Sequence, residues 1–115
     1  MDTRREVGQG GEDRAAAYLK SKGYKILERN WRSTAGELDI IASRKGVLVF
    51  IEVRTLESPH FGFPEESVGP HKQRQLARLA TAYIQKVKHT GDWQIDVIAI
   101  DRGGLRHVEN AVSLW

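Results

Sequence analysis

With 115 residues, no cysteine, 40% hydrophobic and 29% charged residues and a net charge of +3, the chain has the make-up of one ordinary globular domain spanning residues 1–115. The lack of cysteine excludes disulfides, thiolate zinc sites and a cysteine nucleophile, so any metal must be held by oxygen or imidazole, which favours Mg²⁺ or Mn²⁺. No apolar run approaches the roughly 18 residues of a membrane span, and the polar start Met1 to Glu6 lacks a signal-peptide core, so a cytoplasmic protein with no membrane partner is expected.

The first element is predicted as a helix. Thr3-x-x-Glu6 fits a capping box, and Gly23 suits the left-handed position that ends a helix. Gly8, Gly11, Glu12, Ala15, Ala16 and Leu19 share one face at three- and four-residue spacing. Glu12 has two readings: a carboxylate presented where small neighbours let the helix approach another element, or a first-turn acid behind a Gly10-Gly11 loop. Tyr24 to Arg32 reads as an edge strand, and Ser33 to Gly36 as a turn.

The second strand runs from Glu37 to Ala42, with alternation placing Leu38, Ile40 and Ala42 on one face and Glu37, Asp39 and Ile41 on the other. Arg44-Lys45-Gly46 signals a hairpin. Val47 to Thr55 is apolar on both faces until its end, as befits a central strand covered on both sides, and Leu48, Phe50, Glu52 and Arg54 face one way. The hairpin brings Asp39 and Glu52 toward the same open end of the sheet. A carboxylate inside a buried strand loses its hydration, so such acids point to an ion, a partner or a reaction.

Leu56 to Gly69 shows no periodicity and reads as a long loop, with Phe61 and Phe63 either touching a substrate or anchoring the loop to the core. Pro70 suits the first position of a helix whose apolar stripe is Leu76, Leu79, Ala80, Tyr83, Ile84 and Val87. Lys72, Gln75 and Arg78 flank that stripe. Between Ser67 and Gly91 lie Lys72, Arg74, Arg78, Lys86 and Lys88 and no acid, which describes either a surface for a polyanion or a solvated helix face. Trp93 to Ile100 is a further strand containing Asp96, which could join the acids as a supporting group of the site or accept structural hydrogen bonds from backbone or Arg32, the structural role being the expected one. Asp101 to Gly104 is a turn and Leu105 to Glu109 a short last strand. His60, His71, His89 and His107 show no ligand spacing and are expected at the surface, with His71 nearest to bound phosphate.

The matching stretches Gly8-x-x-Gly11-Glu12-x-x-Ala15, Gly23-Tyr24, Asn30-Trp31-Arg32, Gly36-Glu37-Leu38-Asp39-Ile40-Ile41, Val49-Phe50-Ile51-Glu52-Val53-Arg54, Phe61-Gly62 with Pro64-Glu65, Lys72, Ile95-Asp96-Val97 and Asn110-Ala111 run collinearly through nearly the whole chain. In these the sequence resembles the bacterial YraN family, whose fold is similar to restriction endonucleases and archaeal Holliday junction resolvases of the PD-(D/E)XK class. The resemblance implies an α/β fold with a mixed central sheet of about five strands flanked by helices. It further implies a phosphodiester-cleaving endonuclease acting on DNA, branched DNA included, with Asp39 and Glu52 binding Mg²⁺ or Mn²⁺, assisted by the Val53 carbonyl and by Glu12 through water. Glu37 would be a supporting acid or an alternative ligand.

Arg54 departs from the pattern, since the nuclease signature has lysine there. Lysine with a lowered pKa can orient or deprotonate water, whereas arginine stays protonated and only stabilises charge or clamps phosphate. Two readings remain: a nuclease in which the metal or Lys72 supplies what the lysine would, or a non-catalytic nucleic-acid-binding or adaptor protein that kept the fold. In either the nucleic acid could be RNA as well as DNA, since phosphate contacts do not tell them apart. Lys72, Arg74, Gln75 and Arg78 are the expected nucleic-acid contacts, and a homodimer is compatible with either reading.

Overall fold

The apolar runs of the chain assemble into one open, mixed, five-stranded sheet with a helix on each face. The computed structural model describes residues 3–55 and 68–112, with side chains from Gly10 onward. Helix α1 (Thr3–Ser21) is followed by strands β1 (Lys25–Ser33), β2 (Gly36–Arg44) and β3 (Val47–Thr55), helix α2 (Pro70–Val87), and strands β4 (Trp93–Asp101) and β5 (Gly104–Val108). Spatial order follows chain order: β1, β2 and β3 form an antiparallel meander, β4 joins β3 in parallel through the α2 crossover, and β5 returns antiparallel. The parallel pair is what requires a helix between β3 and β4, because a tight turn cannot bring a chain back to start a parallel neighbour.

Helix α1 is continuous through Gly10 and Gly11, which removes the loop reading of Glu12. It ends in a Schellman arrangement: Gly23 takes φ +90°, and the Tyr24 N–H donates to Leu19 O at 3.0 Å. Ala15, Ala16 and Leu19 pack on Ile40, Ala42, Val49, Ile51, Ile98 and Ile100. On the other face Leu76, Leu79, Ala80 and Tyr83 of α2 pack on Leu38, Ile41, Leu48, Phe50, Ile95 and Val97. Tyr83 meets Trp31 and Phe50 edge-on with ring centroids 5.3 and 5.9 Å apart, an arrangement favoured by the ring quadrupoles. Val87, expected in the stripe, is 46% exposed at the last position of α2. Lys45 and Gly46 both take positive φ, which gives the two-residue hairpin a twist matching the strands.

The strict alternation expected for β2 fails at one place. Leu38 packs with Ile41 on the α2 side, while Ile40 and Ala42 lie on the α1 side. The cause is in the partner strand, where Asn30 adopts φ +54° between the pairs Arg29↔Ile40 and Trp31↔Leu38, directly across from Asp39. A left-handed residue kinks the ladder, and both strands change face there. The ladder between β2 and β3 stops at Ile40↔Ile51, whereas that between β3 and β4 continues to Thr55↔Ile100. The end of β3 thus projects past the last β2 pair and opens a notch. The long loop with Phe61 and Phe63, His60, the Pro64-Glu65 pair and the Thr3-x-x-Glu6 capping side chains lie outside the described residues and side chains.

Candidate functional site

The notch is lined by acids from three elements. Asp39 stands at the kink of β2, and its Oδ2 accepts the Val53 N–H at 2.8 Å, replacing the ladder bond that β2 no longer supplies. Glu52 continues the Leu48 and Phe50 face of β3 and is 6% exposed. Glu12 comes from α1, which approaches closely because Gly11 has no side chain: a Cβ there would collide with Thr55 Oγ1. Three carboxylates are in this way carried toward one end of the sheet.

The cost of that convergence appears in their proton affinities. Burial, then the neighbouring Asp39 charge, pushes the Glu52 carboxyl up to about 7 from an ordinary 4.5, against the pull of Lys72 and Arg54. Asp39 is also raised, chiefly by burial, although the Val53 N–H and Lys72 oppose the change. Glu12 is raised by burial and by Asp39, with Arg29 opposing. Burial disfavours the charged form and a like charge adds to it, so all three acids bind protons more readily than in water, and a nearby cation would oppose the change.

Two cations share a single oxygen of the cluster. Arg54 Nε lies 3.6 Å and Lys72 Nζ 3.9 Å from Glu52 Oε1, both beyond hydrogen-bonding distance. Arg54 Nε and Glu12 Oε1 are buried with no hydrogen-bond partner among the described residues. Glu12 Oε1 has Arg29 Nη2 at 3.8 Å, outside hydrogen-bonding range, so both it and Arg54 Nε have capacity for a further partner such as water, an ion or a phosphate oxygen. The oxygen donors, the raised carboxyl pKa values and the unpartnered Glu12 Oε1 fit a hard divalent cation with its water shell, whereas the Arg54 Nε–H is a donor and suits an anionic oxygen.

The other expected contacts divide. Glu37 pairs with Arg32 at 3.1 Å and still raises Asp39 through space, so it borders the notch. Gln75 donates from Nε2 to Ala35 O at 2.9 Å, tying α2 to the β1–β2 turn. Arg74 and Arg78 are exposed on α2. Asp96 is elsewhere: fully buried, it accepts from Gln94 Nε2 and Asn110 N, each at 2.9 Å, and lies 2.7 Å from His107 Nε2. Arg32 is not its partner. His107 corrects the expectation of a surface histidine, with its side chain 8% exposed and its Nδ1 3.1 Å from the Tyr18 hydroxyl. The missed signal is hairpin arithmetic, since a turn at Arg102-Gly103 sets Asp96 opposite Glu109 with His107 beside them.

The fold and site define a class: an α/β protein with an open mixed sheet, one helix on each face, and a desolvated carboxylate cluster flanked by cations at one sheet end. Residues 11–100 match the Uncharacterised protein family UPF0102. Similar relatives include UPF0102 proteins of Thermodesulfovibrio yellowstonii, 47% identical over 92% of this chain and 95% of that one, and of Persephonella marina, 43% identical over 93% of each. A third, from Moorella thermoacetica, is 48% identical over 85% of this chain and 82% of its own length. The chain belongs to the UPF0102 family, also called YraN. Among the described residues no helix is long and apolar enough to cross a membrane.

Proposed function

We propose that the chain is a Mg²⁺- or Mn²⁺-dependent endonuclease of the restriction-endonuclease-like class, acting on DNA. The observation that carries this reading is the pairing of half-buried Asp39 with buried Glu52, with Glu52 raised to about 7 by its surroundings while Lys72 and Arg54 stand beside it. A structural role would favour apolar residues at these strand positions, because buried charge is costly to hold.

Asp39 and Glu52 would hold the cation, with the Val53 carbonyl and, through water, Glu12. The bound cation would polarise a phosphoryl oxygen and acidify a water. Around it the chain's own groups have distinct tasks. The Val53 N–H fixes the Asp39 carboxylate, so one of its oxygens is already oriented. The Arg54 Nε–H, which has no hydrogen-bond partner among the described residues, is a donor for a phosphate oxygen. Lys72 reaches the cluster from α2 and is the residue able to orient the attacking water in place of the signature lysine. Exposed Arg74 and Arg78 extend positive charge along α2 for the phosphates that follow.

One observation favours a second reading, a nucleic-acid-binding protein without cleavage: Arg54 lies close enough to Glu52 to neutralise part of the cluster. Incubation with linear, flapped and four-way DNA in Mg²⁺ or Mn²⁺ decides between the two. Cleavage that Glu52→Ala abolishes supports the nuclease. Binding without cleavage supports the second reading, and cleavage that appears only in Arg54→Lys assigns the loss to that residue.

A further inference from the structure

A second polar cluster lies on β4 and β5, sharing no residue with the notch. Asp96 is in register with Ile51, and alternation sends its side chain to the α1 face, since its neighbours Ile95 and Val97 pack beneath α2. Antiparallel register pairs Val97 with Val108 and Ile98 with His107, which sets His107 of β5, and Glu109 just past its end, beside Asp96. One ligand-type atom from each of the three lies within 4.8 Å of the others. We propose that Asp96, His107 and Glu109 form a site for a divalent transition-metal ion of the Zn²⁺ type.

The surrounding contacts resemble the outer support of a metal centre rather than a single hydrogen-bonded pair. Asp96 Oδ1 takes the Asn110 N–H and the Gln94 amide, leaving Oδ2 aimed at His107 Nε2. His107 Nδ1 faces the Tyr18 hydroxyl at 3.1 Å. Glu109 Oε1 accepts from the Tyr24 hydroxyl at 3.3 Å. Each prospective ligand is therefore held from behind by an outside group, which is how proteins orient ligands toward an ion. Binding at Nε2 requires that nitrogen to give up its proton. The neutral ring then carries its proton on Nδ1 and donates it to the Tyr18 oxygen.

One imidazole and two carboxylates suit Zn²⁺, and three protein ligands leave a fourth position for water or a substrate atom. Of the three ligands only Glu109 reaches solvent, Asp96 and His107 lying behind it. Glu109 is exposed, and together with Gln94, Tyr24, Arg44 and Val49 it lines a cleft of about 200 Å³. Tyr24 and Arg44 stack at its wall, the guanidinium carbon 5.1 Å from the ring centroid. The cleft would take a small anionic or carbonyl-bearing ligand, drawn by the ion and by Arg44.

The test uses the full chain in an Asp39→Asn/Glu52→Gln background, which silences the notch. Zn²⁺ and Co²⁺ titrations are read by calorimetry and by visible Co²⁺ absorption. We expect one equivalent to bind, with His107→Gln and Glu109→Gln each weakening it by ~100-fold or more and Tyr18→Phe by ~10-fold. Glu109 is exposed and its replacement leaves the core intact, so that variant keeps the test decisive if His107→Gln unfolds. Absence of binding at ~100 µM metal, or binding unchanged in Glu109→Gln, overturns the proposal.

Discussion

Replacing Glu52 by glutamine should make the protein more stable while removing the function proposed for it. In the folded chain the Glu52 carboxyl is pushed up to about 7, against about 4.5 when unfolded. At about 1.36 kcal/mol per tenfold change in proton affinity, this displacement amounts to about 3 kcal/mol. The folded state holds the proton more tightly, so no stability is lost below about pH 4.5. The loss grows as the pH rises toward 7 and is complete above it. Glutamine mimics the protonated acid and escapes that loss. Glu52→Gln should therefore match the parent near pH 4.5 and exceed it at pH 8 by about 3 kcal/mol, or roughly 10–20 °C in Tm for a domain of this size. Thermal and urea unfolding from pH 4.5 to 9 measures the difference directly. Adding Mn²⁺ at pH 8 should raise the parent's Tm and leave the variant's unchanged. A variant less stable than the parent at pH 8, or a difference that does not change with pH, refutes the account of Glu52 as a desolvated, strained carboxylate.

Gly36 takes φ +137°, and a Cβ there would collide with the Gln75 amide that caps Ala35 O. Gly36→Ala should cost about 2–4 kcal/mol in urea unfolding. In the double variant with Gln75→Ala the two losses should sum to less than their separate values, because the collision is then absent. His107→Ala leaves buried Asp96 without its nearest partner and should cost about 3 kcal/mol at pH 7, read by the same method. For nucleic-acid binding, Arg78→Ala should lower the slope of log affinity against log salt by about 0.9 for duplex DNA if that residue meets one phosphate. An unchanged slope would leave Arg78 a solvated side chain. Lys72→Ala should raise the Glu52 pKa further, since Lys72 opposes the rise, and NMR titration of the carboxyl measures it.

Much of the architecture is legible in local pattern. The apolar run Val47 to Thr55 marks the central strand, Lys45-Gly46 the hairpin and Leu76 to Tyr83 the buried helix face, because each is dictated by burial or turn sterics within a few residues. The meeting of Asp39 with Glu52 follows from that hairpin. What alternation misses is the face change at Asp39, since its cause is Asn30 on another strand, and a left-handed asparagine carries no mark in the β2 sequence. Glu12 is ambiguous for a related reason: glycines at 10 and 11 read equally as a loop and as room for packing, and only Thr55 across the interface decides. His107 looks like a surface residue when its spacing to other histidines is the criterion. Its partners are Asp96 across the ladder and Tyr18 from the far end of α1, so only tertiary placement reveals it.

The hydrogen bond from the Val53 amide to Asp39 gives the notch an observable of its own. Backbone amides shift and exchange according to what accepts their proton, and here the acceptor is the carboxylate itself. The Val53 resonance in a ¹⁵N spectrum should follow the ionisation of Asp39, and respond again when a cation shares that carboxylate. One backbone nitrogen thus reports charge at the sheet end without an attached probe group, a substrate or a cleavage assay.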